Sequence, residues 1–202
     1  MTYETGDIFL IDSNAWYANL VKFLMRSPTL YHYILGRIYE FIAKKEAPQW
    51  LMRKSPYYHA GMILDSTHII EQQKIVEIDN IDTILKKKHC IIRRKNTTQE
   101  EREKLVSFMK ADLGKGYDWL LCIGKLFSWL TGIKLFSVFM NLPHKEICIN
   151  RIAKECYKMW KERWGYLSIW KSLVWSLITT NDMYYYALNH PNIYIVEESN
   201  AQ

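Results

Sequence analysis

Cys148 is the cysteine best placed for nucleophilic chemistry. The pattern after Pro143 predicts a helix, and Cys148 lies just inside the start of that helix. The helix dipole and the free N–H groups at such a position favour the thiolate, which is the reactive form of the side chain. A thiolate in this place can attack an amide or ester carbonyl. The alternative, which spacing alone favours, is a buried cysteine that packs as a small hydrophobic residue.

The other three cysteines have the placement of structural residues. Cys90 lies in a predicted strand, Cys122 in an apolar helix, and Cys156 deeper in the helix that holds Cys148. The four cysteines form no CxxC pair and no zinc-type spacing with a histidine, so we predict no metal site and no cofactor. Residues 1–10 have no features of a secretory signal, which predicts reduced thiols and a cytoplasmic location.

A thiolate nucleophile needs a base, and the base needs an acceptor that orients it. His59 is the best candidate for the base because it begins a predicted strand and is followed by the small residues Ala60 and Gly61. Glu71 interrupts the apolar run of the next strand, where it can reach the His59 ring across the strand pair. The alternative for Glu71 is an outward-facing carboxylate in a surface ion pair.

The elements that must position these residues are a small sheet and several helices. The chain has 202 residues, of which 49% are hydrophobic and 24% charged, so it can bury one core and is not a disordered chain. Short extended segments, among them 8–11, 58–65, 68–71 and 90–92, predict three or four antiparallel strands. After residue 98 the apolar period becomes helical. We therefore predict an α+β fold and a single domain over residues 1–202.

We predict a helical insertion at residues 14–54, a segment that is aromatic and basic. Ser27-Pro28 divides it into two predicted helices. The apolar stretch 119–142 contains Lys125 and Lys134, which argue against a membrane span. Both segments resemble interfacial helices with basic anchors, so peripheral contact with an anionic membrane is one expectation. The alternative is that they are ordinary amphipathic helices packed on the sheet.

Several short motifs together resemble a known family, the circularly permuted NlpC-type branch of the papain-like cysteine hydrolases, which is related to lecithin–retinol acyltransferase-like proteins. The motifs follow one another in the family's order, with the histidine before the cysteine. They are Gly6-Asp7-Ile8, Tyr58-His59-Ala60-Gly61-Met62-Ile63, Ile69-Ile70-Glu71, Gly116-Tyr117-Asp118, Ile147-Cys148 and, near the end, Thr179-Thr180-Asn181-Asp182-Met183. This resemblance implies a permuted papain-like arrangement of the α+β fold.

The resemblance also implies roles for particular residues. Cys148 would be the nucleophile, His59 the base and Glu71 the residue that orients the base, while Tyr58 and Tyr117 would line a substrate pocket. The chain departs from the family pattern directly after the nucleophile. Ile149 stands where the family usually has serine, and Asn150 stands where it usually has an acidic residue.

Two functions follow as expectations. The first is a thiol hydrolase or acyltransferase acting on a peptide, another amide or a lipid-like acyl substrate. The second is a catalytically decayed module of the same fold that holds an acyl chain or a peptide. We predict no nucleic-acid partner, because the basic runs 86–88 and 93–95 are followed by the acidic residues Glu100, Glu101 and Glu103. The oligomeric state stays open.

Overall fold

The computed structural model of the chain describes residues 2–25, 27, 29–48, 52, 57–133, 139, 148–160 and 179–199. The helices of this part of the chain are α1 (Trp16–Met25), α2 (Leu30–Ala43), α3 (Asp82–Leu85), α4 (Gln99–Lys110), α5 (Trp119–Thr131), α6 (Cys148–Trp160) and α7 (Thr180–Asn189). The strands are β1 (Ile8–Ile11), β2 (His59–Ile63), β3 (His68–Gln72), β4 (Val76–Asn80), β5 (His89–Arg94) and β6 (Tyr194–Ser199).

The six strands form one antiparallel sheet in the order β4-β3-β2-β1-β5-β6. The prediction of three or four strands was therefore too low. The extended pattern from His68 onward is interrupted after Gln72, so that β3 and β4 are two strands of a hairpin. The segment after Ile193 also joins the sheet, as β6 beside β5. The α+β class, with the sheet packed against helices, is confirmed.

Alternating side chains of the strands supply two apolar layers. One layer contains Leu10, Ala60, Met62 and Ile70 and packs against α4, α6 and α7. The opposite layer is smaller and is built from Phe9, Ile11, Ile63, Ile69, Ile81, Ile84 and Ile91. Because both faces of the central strands are covered, β1 and β2 are buried along their whole length. Residues on β2 are consequently held rigidly.

Local signals fix the ends of several helices. Thr98 and Glu101 form a capping box at the start of α4. A second capping box, from Thr179 and Asp182, begins α7. Gly132 ends α5 with a positive φ of 77°, a conformation that glycine adopts without a steric penalty. These caps explain why the predicted helices in these regions are confirmed.

The two helices predicted within residues 14–54 are found as α1, which ends at Met25, and α2, which begins at Leu30. They pack against α5 through an aromatic cluster of Phe23, Tyr33 and Trp129, in which the Phe23 and Trp129 ring centroids are 5.6 Å apart. The Trp129 indole N–H also donates to Ser27 Oγ at 3.2 Å. Among the described residues, no helix is both long enough and apolar enough to cross a bilayer.

A buried ion cluster anchors the start of β1. The Asp7 carboxylate has no exposed surface and accepts hydrogen bonds from Arg93 Nε at 3.0 Å and Arg93 Nη2 at 2.6 Å. Arg102 and Glu4 complete the cluster. Loss of one partner from a buried pair of this kind typically costs about 3–5 kcal/mol. Asp7 thereby ties β1 to β5 and to α4.

Candidate active site

His59 and Glu71 meet on neighbouring strands of the sheet. His59 Nε2 lies 2.8 Å from Glu71 Oε2, and both side chains are buried. The two residues were expected to lie directly opposite one another, but the residue opposite Glu71 is Gly61. His59 lies two positions before Gly61 and is therefore a diagonal neighbour of Glu71, a distance that long side chains can span. The outward-facing interpretation of Glu71 is wrong, because its side chain is only 2% exposed.

Gly61 has a specific role in this register. A Cβ atom at position 61 would lie 2.2 Å from the Phe9 ring and 2.7 Å from the Ile70 carbonyl oxygen. Phe9 is fully buried and the Ile70 oxygen belongs to the backbone, so neither can move away easily. The glycine thus permits the close approach of β1, β2 and β3 at the point where Glu71 reaches toward His59.

Cys148 is the first described residue of α6, and α6 packs against β2. Its thiol hydrogen-bonds the His59 ring, and the backbone N–H groups of Ala60 and Ile149 also donate toward the sulfur. Since His59 Nε2 is used by Glu71, Nδ1 is the ring nitrogen left for the sulfur. The structure therefore brings Cys148, His59 and Glu71 together in one hydrogen-bonded chain.

The electrostatics of this chain favour the charged forms. Burial raises the pKa of the Cys148 thiol, but the positive charge and hydrogen bond of His59 and the two backbone donors outweigh burial and lower that pKa below its ordinary value. Burial likewise disfavours the His59 imidazolium, yet the charges and hydrogen bonds of Cys148 and Glu71 raise its pKa to about 10. The Glu71 pKa is lowered, because the contacts with His59 outweigh burial. All three shifts favour a thiolate beside an imidazolium.

The other cysteines lie in different surroundings. Burial raises the pKa of Cys90, and it also raises the pKa of Cys122, whose sulfur lies 3.7 Å from the Tyr117 hydroxyl. Cys156 is fully buried in the main core. A raised pKa means little thiolate near neutral pH. The electrostatics therefore single out Cys148 from Cys90 and Cys122, as the sequence pattern does.

Both tyrosines predicted to bind substrate lie near Cys148. The Tyr58 ring is 6.0 Å from the His59 ring, and the Cys148 charge contributes to raising the Tyr58 pKa after burial and the contact with Tyr17. Burial and then the Cys148 charge raise the pKa of Tyr117. The two rings thus belong to the surroundings of the thiol.

One buried charge near the site was missed by sequence reasoning. Arg151, one helical turn after Cys148, is 1% exposed, pairs with Asp112 at 3.1 Å and donates to the Met109 carbonyl oxygen. With Glu71 and Cys148 it lines a cavity of about 10 Å³ between β2, β3 and α6, about the room that one water needs. An arginine in an amphipathic helix is usually predicted to face solvent, so no pattern in the sequence indicated that Arg151 is buried.

Ile149 and Asn150, which depart from the pattern of the family that the chain resembles, lie on the side of α6 that faces the core. Ile149 is buried, and so is Asn150, whose Oδ1 accepts a hydrogen bond from Lys125 Nζ at 3.1 Å. Lys125 was expected to be a basic surface anchor, and this contact turns it toward α6 instead. Within the described ranges, no three or more His, Cys, Asp or Glu side chains are grouped so that they could hold a metal ion.

The described fold and site are those of an α+β protein in which a buried Cys–His–Glu chain joins one helix to two strands. No family model and no curated protein matches the chain. Among solved structures, it is similar to the crystal structure of the metalloprotein yiiX, DUF1105, from Escherichia coli O157:H7. The TM-score is 0.51 and the sequence identity 18%, over 82% of this chain and 71% of that chain. A likeness at this identity concerns the fold alone.

Proposed function

We propose that this chain is a thiol hydrolase or acyltransferase, with Cys148 as nucleophile, His59 as base and Glu71 as the residue that orients the base. The observation that carries the proposal is that the buried His59 ring contacts two partners, the Glu71 carboxylate at 2.8 Å from Nε2 and the Cys148 thiol. A nucleophile, a base within hydrogen-bond reach and a third group that orients the base are the parts that acyl transfer requires.

In the first half-reaction the Cys148 thiolate attacks an amide or ester carbonyl, and a carbon–sulfur bond forms. The N–H group of Cys148, at the start of α6, is available to stabilise the oxyanion of the tetrahedral intermediate. As the intermediate collapses, His59 gives its proton to the leaving amine or alcohol. In the second half-reaction His59 takes a proton from water or from an acyl acceptor, whose oxygen or nitrogen bonds to the thioester carbonyl carbon. The carbon–sulfur bond then breaks, the acyl product leaves, and Cys148 is restored as the thiolate beside protonated His59.

The environment of His59 suits both steps. Nε2 keeps its hydrogen bond to Glu71 throughout, which leaves Nδ1 as the ring nitrogen that would carry the transferred proton. Because Glu71 Oε1 also accepts from Gln73 Nε2 at 2.7 Å, the carboxylate is held at both oxygens. A fixed carboxylate keeps the ring in one orientation and stabilises its positive charge.

A binding module of the same fold remains the second candidate, and the burial of the site favours it. Cys148 and His59 are each only 7% exposed. A protein of this kind would have an activated thiol and a bound acyl chain or peptide, but no turnover. The two candidates therefore differ in whether an acyl group leaves Cys148 after it has been transferred there.

The test is to incubate the full chain with a panel of p-nitrophenyl esters of increasing acyl length and a matching panel of acyl amides. We expect release of the leaving group together with one acyl group on the protein, mapped by peptide mass spectrometry to Cys148. Turnover beyond one equivalent supports an enzyme, and a single stable adduct supports the binding module.

Two variants make this test specific. Cys148→Ala should lose the adduct and the turnover, whereas Cys122→Ala, which removes a half-buried cysteine of raised pKa, should keep both. Turnover that persists in Cys148→Ala, or an adduct on another residue, would disprove the proposed nucleophile.

A further inference from the structure

An exposed apolar face runs along α5. Its large exposed side chains recur every three or four residues and therefore lie on one side of the helix. They include Trp119, Leu120, Ile123, Leu126 and Leu130. The one charged residue of α5, Lys125, donates to Asn150 and lies outside this stripe. An apolar stripe of this length on a protein surface typically marks an interaction site.

The two insertion helices extend this face. On α2, Tyr31, Ile34, Ile38 and Phe41 repeat at the same helical spacing, and Phe41 is 84% exposed. On α1, Trp16 is 78% exposed and is joined by Tyr17 and Leu20. Because Phe23, Tyr33 and Trp129 hold the three helices against one another, these exposed side chains are carried by adjoining helices. We call this set of exposed side chains the α1–α2–α5 face.

The charge and aromatic content of the α1–α2–α5 face indicate the kind of partner. Residues 14–46 contain five basic and two acidic residues, and the chain has a net charge of +6. Lys22 is paired with Asp12, but Lys44 and Lys45 are exposed at the end of α2. Apolar helices with lysines at their edge and tryptophan and tyrosine among their exposed side chains are typical of proteins that lie in a membrane interface.

Two short series of aromatic rings connect this face with the catalytic site. One runs from His59 through Tyr58 and Tyr17 to the exposed Trp16, with centroid distances of 6.0 Å, 6.0 Å and 6.2 Å. The other joins Tyr117 to Trp119, whose ring centroids are 4.9 Å apart. Both series end on side chains of the α1–α2–α5 face, which places this face beside the catalytic residues.

We propose that the α1–α2–α5 face docks on an anionic lipid bilayer, with its apolar side chains in the interface and Lys44 and Lys45 at the headgroups. This docking does not depend on the proposed chemistry of Cys148. Salt screens the attraction of the lysines over a Debye length of about 8 Å at physiological ionic strength. The apolar contribution is unaffected by this screening.

The test is co-sedimentation of the full chain with vesicles of phosphatidylcholine alone and of phosphatidylcholine mixed with phosphatidylglycerol. We expect binding to the mixed vesicles that weakens as salt is added. Phe41→Glu and Ile123→Glu, each placing a charge on the apolar face, should each lower the partition coefficient about tenfold or more. The matched control is Ile78→Glu, the same kind of change at a residue 44% exposed on β4, and it should bind as the wild type does.

Three results would overturn the proposal. The first is no binding of the wild type to either vesicle. The second is binding that Ile78→Glu reduces as much as the two face variants do. The third is self-association in analytical ultracentrifugation that the face variants abolish without any vesicle binding, which would assign the face to a second copy of the chain. Binding that is equal for both kinds of vesicle and insensitive to salt would contradict the proposed contact of Lys44 and Lys45 with anionic headgroups.

Discussion

Replacing His59 with alanine should slow the alkylation of Cys148 by iodoacetamide near pH 6 by about 100-fold. The positive charge and hydrogen bond of His59 are the main factors that lower the pKa of Cys148 against the effect of burial. Without them this pKa rises. A thiol with the ordinary pKa of about 8.5 is only about 0.3% ionised at pH 6, and the thiolate is the species that reacts. The rate is measured under limiting reagent, with the modified cysteine mapped by mass spectrometry.

Further variants separate the effect of the His59 charge on the Cys148 rate from an effect on the fold. His59→Gln keeps a polar side chain beside Glu71 but carries no positive charge, so it should be slow as well. His89→Gln removes another buried histidine, one that contacts the Tyr3 hydroxyl at 3.1 Å, and it should leave the Cys148 rate unchanged. Equal rates for wild type and both His59 variants would show that the thiol is not activated by the ring.

Glu71→Gln should lower the rate of acyl transfer by about 10- to 100-fold at neutral pH. An opposite charge within hydrogen-bond distance shifts a pKa by about 1–3 units. Loss of the Glu71 charge therefore lowers the pKa of His59 and, through His59, raises that of Cys148. Glutamine can still accept a hydrogen bond from Nε2, so the orientation of the ring is kept while the charge is lost.

Two further measurements separate this effect from a structural one. Nuclear magnetic resonance titration of His59 should show a lower pKa in Glu71→Gln than in the wild type. Glu77→Gln is the matched control, because Glu77 lies directly opposite Glu71 on β4 and is exposed. A His59 titration that is the same in wild type and Glu71→Gln would contradict the role of the carboxylate.

Much of the fold follows from local patterns in the sequence. The apolar run of β1, the alternation in β2 and the capping box at Thr98 are short-range signals, and each predicted element is found. The juxtaposition of His59 and Glu71 also followed from the sequence, because neighbouring strands of a hairpin bring such residues within reach. The meeting of these two residues with Cys148 rested on the resemblance to a family.

Other features depend on contacts that no local pattern encodes. The diagonal register of His59 and Glu71 is set by the close packing of Gly61 against Phe9. Arg151 is buried because it bonds to the Met109 carbonyl oxygen of α4 and pairs with Asp112 in the turn after α4. Lys125 turns inward because Asn150 offers an acceptor. The predicted apolar helix beyond Gly132, most of the stretch 134–147 and the end of the helix after Trp160 lie outside the described residues.

The most direct test of the Cys148–His59 pair is the pH titration of the Cys148 thiolate by its ultraviolet absorbance, taken as wild type minus Cys148→Ser. Because the pKa of Cys148 is lowered, the thiolate should persist as the pH falls below the ordinary thiol value of about 8.5, and because the pKa of His59 is raised, its ring should stay protonated from 6.5 up to about 10. The account predicts a difference signal that titrates below this ordinary thiol value. A signal that appears only at or above about pH 8.5 would contradict it.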